Sequence, residues 1–103
     1  MKPIRFHPAA LEEFREAAHY YEGKQKGLGL RLTDAVEIAL GRIRSQPLLF
    51  RVVTENVRKC RVARFPYGVL FRERRDDLEV VAVMHLHRDP DYWKGRLSPA
   101  QRQ

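Results

Sequence analysis

Cysteine is nearly absent from this sequence of 103 residues, since Cys60 is the only one. A single cysteine cannot form an internal disulfide framework or a zinc site made of cysteines alone, so disulfide-rich secreted domains are excluded. This usage favours a reducing compartment, and we expect a cytoplasmic protein. The length suits one domain, which we predict over residues 1–97 with a flexible tail over residues 98–103.

Long apolar runs are also missing. No stretch approaches the roughly 18 apolar residues that a membrane-spanning helix needs. The N-terminal sequence MKPIRFHP lacks the apolar centre of a secretion signal. We therefore predict a soluble protein with no membrane partner.

Positive charge is concentrated in the middle of the chain. The formal net charge is +7, from 20 Lys and Arg against 13 Asp and Glu. Residues 42–75 contain ten of the basic residues and only two acidic ones, so this window carries +8 and the rest of the chain −1. The asymmetry favours a polyanionic partner, either nucleic acid or an acidic protein segment. A basic surface that serves only solubility is the alternative.

The first half of the chain has helical periodicity. After a short strand over residues 3–6, apolar residues recur at helical spacing and predict an amphipathic helix over about residues 8–23. A second helix begins at Leu28 or Leu32 and ends before Pro47. Because the link is short and contains glycines, we expect the two helices to form an antiparallel hairpin.

After the second helix the repeat of apolar residues changes from 3.6 residues, typical of a helix, to 2 residues, typical of a strand. β-Branched and aromatic residues also become common there. Strands are predicted over residues 50–53, 57–65, 67–74 and 78–87. Tight turns join them, so they form an antiparallel meander. The predicted fold class is α+β, in which the helical hairpin packs on one face of a mainly antiparallel sheet of four or five strands, followed by a short C-terminal helix or tail.

Alternation in the last strand separates apolar residues from histidines. One face is wholly apolar and should contact the helices; its residues are Leu78, Val80, Ala82, Met84 and Leu86. His85 and His87 then project from the opposite face, where a partner can reach them.

The stretch HLHRDPDYWKGR, residues 85–96, has the densest set of reactive side chains. One interpretation is cleavage of RNA, with His85, His87 or Tyr92 transferring protons. Charge on phosphorus would then be stabilised by arginines, with Arg61, Arg64, Arg72 and Arg88 as candidates. A metal site at the two histidines lacks a third ligand, so we predict no metal and no cofactor.

Recognition without chemistry is a further interpretation of this stretch. Tyr92 and Trp93 lie among arginines, a composition typical of binding hot spots. Alternatively, both aromatic residues fold back and cap the sheet. Asp89 can cap a short final helix that begins at Pro90, and Arg88 and Arg96 can pair with Asp89 or Asp91.

Taken together, the segments resemble the RelE/ParE superfamily, the toxins of type II toxin–antitoxin modules once called plasmid stabilisation proteins. The resemblance runs from about Ile4 to Arg96 and is carried by FHPAALEEFREAAHYYE, the leucine-rich second helix, VRKCRVARFPYGVLFRE and VVAVMHLHRDPDYWKGR. The closing pattern His-x-x-Arg-Asp-Pro-x-Tyr-Trp is common among ParE-like members and is the most specific piece.

The resemblance implies a growth-inhibiting toxin with one of two targets. ParE-like members poison DNA gyrase, and we expect this target. RelE-like members are ribosome-dependent mRNA endoribonucleases, and that alternative would use Arg61, Arg64 and His85 or Tyr92. Whether the chain is an enzyme therefore stays open. A small basic nucleic-acid-binding adaptor is the third hypothesis.

The family also implies a cognate antitoxin that lays an acidic and apolar segment across the toxin in a hetero-oligomer. An acidic segment would suit the +8 window, and an apolar one the predicted helices. We expect target or antitoxin binding by basic and aromatic residues of the strands and the C-terminal stretch: Arg58, Arg61, Arg72, His85, His87, Arg88, Trp93 and Arg96.

Overall fold

A computed structural model describes residues 1–97 of the chain, and the predicted tail over residues 98–103 lies outside this part. Its elements are β1 (Ile4–Phe6), α1 (Pro8–Lys24), α2 (Leu28–Ser45), β2 (Arg51–Thr54), β3 (Val57–Arg61), β4 (Tyr67–Glu73) and β5 (Leu78–His85), with short 3-10 helices at Pro47–Leu49 and Lys94–Leu97. The strands form one sheet in the order β1-β5-β4-β3-β2. β1 pairs with β5 in parallel and all other pairs are antiparallel, which confirms the predicted α+β class.

The helical hairpin is shaped by polar side chains at its two helix starts. The His7 ring caps α1 by accepting a 3.0 Å hydrogen bond from the backbone N–H two residues on, and Pro8 follows in the first turn. Between the helices the chain passes through Gly27 with a φ of +89°, a conformation that favours glycine. The Glu22 carboxylate accepts hydrogen bonds from the N–H groups of Gly27 and Gly29, so it satisfies the start of α2. Within residues 1–97 neither helix has the length and apolar character that crossing a membrane requires.

Gly29 lets the two helices approach closely, and Gly29→Ala is expected to lower the free energy of unfolding by about 1–3 kcal/mol. An added Cβ would lie 2.6 Å from the backbone oxygen of Ala18, which cannot move without shifting α1. Gly41 in the same helix is the matched control, because a Cβ there would meet nothing within 4 Å. Urea unfolding should show Gly41→Ala unchanged or more stable, by up to about 1 kcal/mol. Equal effects of the two substitutions would contradict the close packing.

Both faces of the sheet are covered by apolar side chains. The hairpin packs on the first face, where the helices contribute residues such as Leu32, Val36 and Ile43 and the strands contribute Val69 and Phe71. On the second face the chain after β5 folds back over the strands. That core contains Val57, Leu70, Val81, Ala82, Met84 and Trp93. The sheet is thus the middle layer of three over its central strands.

A bulge in β5 breaks the strict alternation that the sequence predicts. Leu70 lies opposite Ala82, but the next residue of β4, Phe71, lies opposite Val80, so Val81 is an extra residue without a partner. As a result Val81 and Ala82 both join the second core. Every residue of β5 beyond the bulge is therefore on the face opposite to the one predicted.

The bulge places His85 on the hairpin face, and the prediction that it projects away from the helices is wrong. His85 lies opposite Tyr67 in the register of β4 and β5. Tyr67 in turn packs edge-on against Tyr21 of α1, with ring centroids 6.3 Å apart. Met84, predicted to contact the helices, lies in the second core instead.

Candidate functional site

One end of the sheet brings together five basic residues from separate segments. β3 ends at Arg61, four residues earlier than predicted, because the chain turns through Arg64 with a φ of 71°. β5 ends at His85, two residues earlier than predicted, and continues into a turn. We call these residues the sheet-end cluster: Arg61, Arg64, His85, His87 and Arg88.

Backbone contacts hold the two turns of the sheet-end cluster side by side. The N–H of Leu86 donates to the carbonyl oxygen of Pro66 at 2.9 Å, just beyond the pairing of Tyr67 with His85. All members of the cluster except the half-buried His85 are exposed. The cluster therefore presents cations and imidazole groups at one end of the sheet.

His85 is built into the turn that it begins. Its Nδ1 accepts a 3.1 Å hydrogen bond from the N–H of His87, and its ring packs edge-on against Tyr67 with centroids 5.2 Å apart. A neutral imidazole that accepts at Nδ1 carries its proton on Nε2. Nδ1 of His85 is thus engaged within its own turn, and Nε2 is the nitrogen left for a hydrogen bond to a partner. Within residues 1–97 no three metal-binding side chains come together.

Two predicted binding residues lie away from the cluster and are engaged in the fold. The guanidinium of Arg58 donates to the backbone oxygen of Phe50 at 2.7 Å and fastens the start of β2. Arg72 forms an ion pair with Glu79 across β4 and β5 at 2.8 Å, and the neighbouring strands keep both side chains largely buried. The structure does not bring Arg58 or Arg72 to the sheet end.

Trp93 and Arg96 were predicted to contact a partner, and both lie inside the fold. The indole of Trp93 is only 2% exposed because the C-terminal segment folds back onto the second face of the sheet. Arg96 forms a two-contact ion pair with Glu13 of α1, with its Nη2 2.8 Å from Oε2. The structure thus shows Trp93 packed on the sheet, as the alternative predicted, and partner binding by Trp93 and Arg96 stays a prediction.

Tyr92 is poorly suited to proton transfer. Its hydroxyl is buried and has no hydrogen-bond partner of ordinary geometry in the described part of the chain. Burial, together with the nearby carboxylate of Glu13, raises the pKa of Tyr92. A phenol that holds its proton this firmly is not a general base at neutral pH.

The C-terminal segment is held differently from the prediction. Arg88 and Arg96 both approach Glu13 instead of Asp89 or Asp91. Asp89 accepts a hydrogen bond from the N–H of Asp91 at 2.9 Å, which begins a turn. The short helix follows only at Lys94–Leu97, as a 3-10 helix.

A groove of about 820 Å³ runs between α2 and the turn that joins β3 to β4. Its apolar lining includes Tyr21, Ala35, Ile38, Ala39 and Phe65. Its charged lining consists of one acidic residue, Asp34, and four arginines: Arg31, Arg42, Arg61 and Arg64. None of the four forms an ion pair with a described residue. The groove was not predicted from the sequence, although Ile38 lies outside the apolar stripe of α2 and was a signal for it.

Comparison with models of protein families identifies one family. The family described as ParE toxin of type II toxin-antitoxin system, parDE, matches residues 4–90. Among solved structures, a chain titled chromosomal ParDE TA system from P. aeruginosa is similar in fold, with a TM-score of 0.67 and 11% identity over 84% of this chain and 98% of that chain. No curated protein sequence matches the chain. Because the family match spans most of its length, this protein belongs to the ParE toxin family of type II toxin–antitoxin systems.

Proposed function

We propose that this toxin inhibits bacterial growth by binding DNA gyrase in the cytoplasm through its sheet-end cluster, and that a cognate antitoxin neutralises it in a hetero-oligomer. The observation that carries the proposal is the convergence of Arg61, Arg64, His87 and Arg88 as exposed cations and imidazole at one end of the sheet. Such a surface complements an anionic partner, either an acidic protein surface or the DNA that a topoisomerase holds.

The same geometry argues against the ribonuclease alternative. Cleavage of RNA requires a base that removes the 2′-hydroxyl proton and an acid that protonates the leaving oxygen. His85 uses Nδ1 within its own turn, and the hydroxyl of Tyr92 is buried with a raised pKa. Neither Nδ1 of His85 nor the hydroxyl of Tyr92 therefore suits the role of the base, and the exposed His87 is the one predicted proton-transfer residue left for that role. Binding without proton transfer suits His85 and Tyr92 better.

The groove along α2 is the surface that we propose for the antitoxin. An acidic and apolar segment would place apolar side chains on Ile38 and Phe65 and its carboxylates beside the lining arginines. Arg61 and Arg64 belong to both the groove and the sheet-end cluster. An antitoxin in the groove would thus cover part of the surface that binds the target, which explains neutralisation by direct competition.

Ile38→Glu is expected to weaken antitoxin binding by roughly 100-fold, because it places a buried negative charge against acidic and apolar groups of the partner. Leu30→Glu is the matched control, since both residues lie on α2 and are 65% exposed, but only Ile38 lines the groove. Titration calorimetry of the purified proteins measures the difference. Equal losses for the two variants would place the antitoxin elsewhere.

The target is tested with purified protein in two parallel cell-free reactions. The proposal expects inhibition of DNA supercoiling by gyrase, with translation of a reporter mRNA unaffected. Inhibited translation with cleaved mRNA and normal supercoiling would instead support the ribonuclease alternative. Inhibition of neither reaction would refute both.

A further inference from the structure

We infer that Glu13 of α1 is a positioning residue for the target-binding surface: it docks the C-terminal segment, residues 86–97, against the edge of β5 and thereby fixes Arg88 in the sheet-end cluster. The inference rests on the proposed function, because it treats that cluster as the surface that contacts the target.

The edge of β5 needs such a residue because β1 is short. β1 covers only residues 78–80 of β5, so the backbone beyond this point has polar groups without a neighbouring strand. The N–H of Val83 donates to Glu13 Oε1 at 3.0 Å, and the carbonyl oxygen of Val81 accepts from Arg96 Nη1 at 2.9 Å. The side chains of Glu13 and Arg96 thus form hydrogen bonds with backbone groups of β5 that a longer β1 would have paired.

Glu13 and Arg96 also bind each other. Oε1 and Oε2 of the carboxylate lie 3.1 and 2.8 Å from Nη1 and Nη2 of the guanidinium, and the two side chains are 13% and 16% exposed. Burial by itself would raise the pKa of Glu13, but the hydrogen bonds from Arg96 and the N–H of Val83 lower it below its ordinary value. The carboxylate is therefore charged, and the pair joins α1, β5 and the C-terminal segment.

Arg88 depends on the same carboxylate. Its guanidinium lies over the ring of Tyr92, 3.7 Å from the ring centroid, and its Nη1 is 3.8 Å from Glu13 Oε2. The guanidinium of Arg96 also lies over the Tyr92 ring, 5.1 Å from its centroid. Two cations thus flank one aromatic ring, and within residues 1–97 Glu13 is the carboxylate paired with both. Without this negative charge the two guanidiniums repel each other and the segment loses its anchor.

Trp93 reports on the docking of this segment, because it is the only tryptophan of the chain and is 2% exposed. Glu13→Gln keeps the size of the side chain but removes its charge. We expect this variant to increase acrylamide quenching of Trp93 roughly twofold or more while the far-UV circular dichroism stays native. Inhibition of gyrase supercoiling should become roughly tenfold weaker, since a charge-assisted contact is misplaced.

Two further variants separate positioning from contact. Arg88→Gln should weaken gyrase inhibition to the same degree without changing Trp93 quenching, because Arg88 is 53% exposed and lies outside the Glu13–Arg96 pair. Glu12→Gln should change neither property, since Glu12 is exposed and forms no ion pair within the described residues. If Glu13→Gln does not fold, Arg96→Lys replaces it, because lysine keeps the charge but cannot make the two-contact pair.

Native folding of Glu13→Gln with unchanged Trp93 quenching would overturn the inference, as would full potency against gyrase. If the wild-type protein itself leaves gyrase unaffected, the proposed function fails. In that case Trp93 quenching alone still decides whether Glu13 docks the C-terminal segment.

Discussion

Replacing Trp93 with alanine is expected to lower the free energy of unfolding by about 3–5 kcal/mol, a large part of the stability of a domain of this size. The indole fills the second core between the C-terminal segment and β-strand residues such as Leu70 and Met84. Its removal leaves a cavity that the short segment around it cannot fill. Urea unfolding followed by circular dichroism gives the change directly.

Two comparisons make the Trp93 result specific. Trp93→Phe should cost much less than the alanine variant, because the ring still fills most of the space and the indole N–H has no hydrogen-bond partner in residues 1–97. Leu49→Ala should change stability by less than about 0.5 kcal/mol, since Leu49 is 68% exposed. A small effect of Trp93→Ala would show that the indole is not part of the core and would return it to the candidate binding surface.

Under the proposed function, removing the exposed cations of the sheet-end cluster is expected to weaken gyrase inhibition by roughly 100-fold or more. The variant carries Arg61→Ala, Arg64→Ala and Arg88→Ala together. Arg61 and Arg64 are exposed and form no ion pair with any described residue. Arg88 is 53% exposed and gives up only a 3.8 Å ion pair with Glu13 and its contact with the Tyr92 ring, so the triple change should cost little stability. Dose-response curves in the supercoiling reaction measure the loss.

A charge-matched variant controls for the loss of three positive charges. It carries Arg15→Ala, Arg44→Ala and Arg75→Ala, which are exposed residues of α1, of α2 and of the turn at the other end of the sheet. The control should retain nearly full potency, because long-range charge alone changes mainly the association rate. Similar losses for the two variants would mean that overall charge, and not the sheet-end cluster, determines binding.

The predictions from local pattern were the most accurate ones. The helices and strands lie within a few residues of the predicted bounds, because spacing of apolar residues and turn residues is a property of short stretches. The bulge at Val81 was not predictable in this way. Val80 to Met84 are all apolar, so no polar residue marks the position where the alternation shifts. This single residue reversed the predicted direction of His85.

The ion pairs of the C-terminal segment were predicted wrongly because they join residues that lie far apart in the sequence. Arg88 and Arg96 were assigned to the neighbouring aspartates, but they approach Glu13, which precedes Arg96 by 83 residues in the sequence. That contact depends on how short β1 is and on how α1 crosses β5, which no local pattern contains. The convergence of Arg61, Arg64 and His87 at one end of the sheet does not follow from local pattern, because it depends on the order of the strands.

Growth after induction of the wild-type chain, with and without its cognate antitoxin, is the most direct test of the account. We predict that induction alone stops growth and that co-expression of the antitoxin restores it. An immunoblot confirms equal amounts of the full-length chain in both cultures. Normal growth of cells that contain the folded chain without antitoxin would contradict the toxin function on which the rest depends.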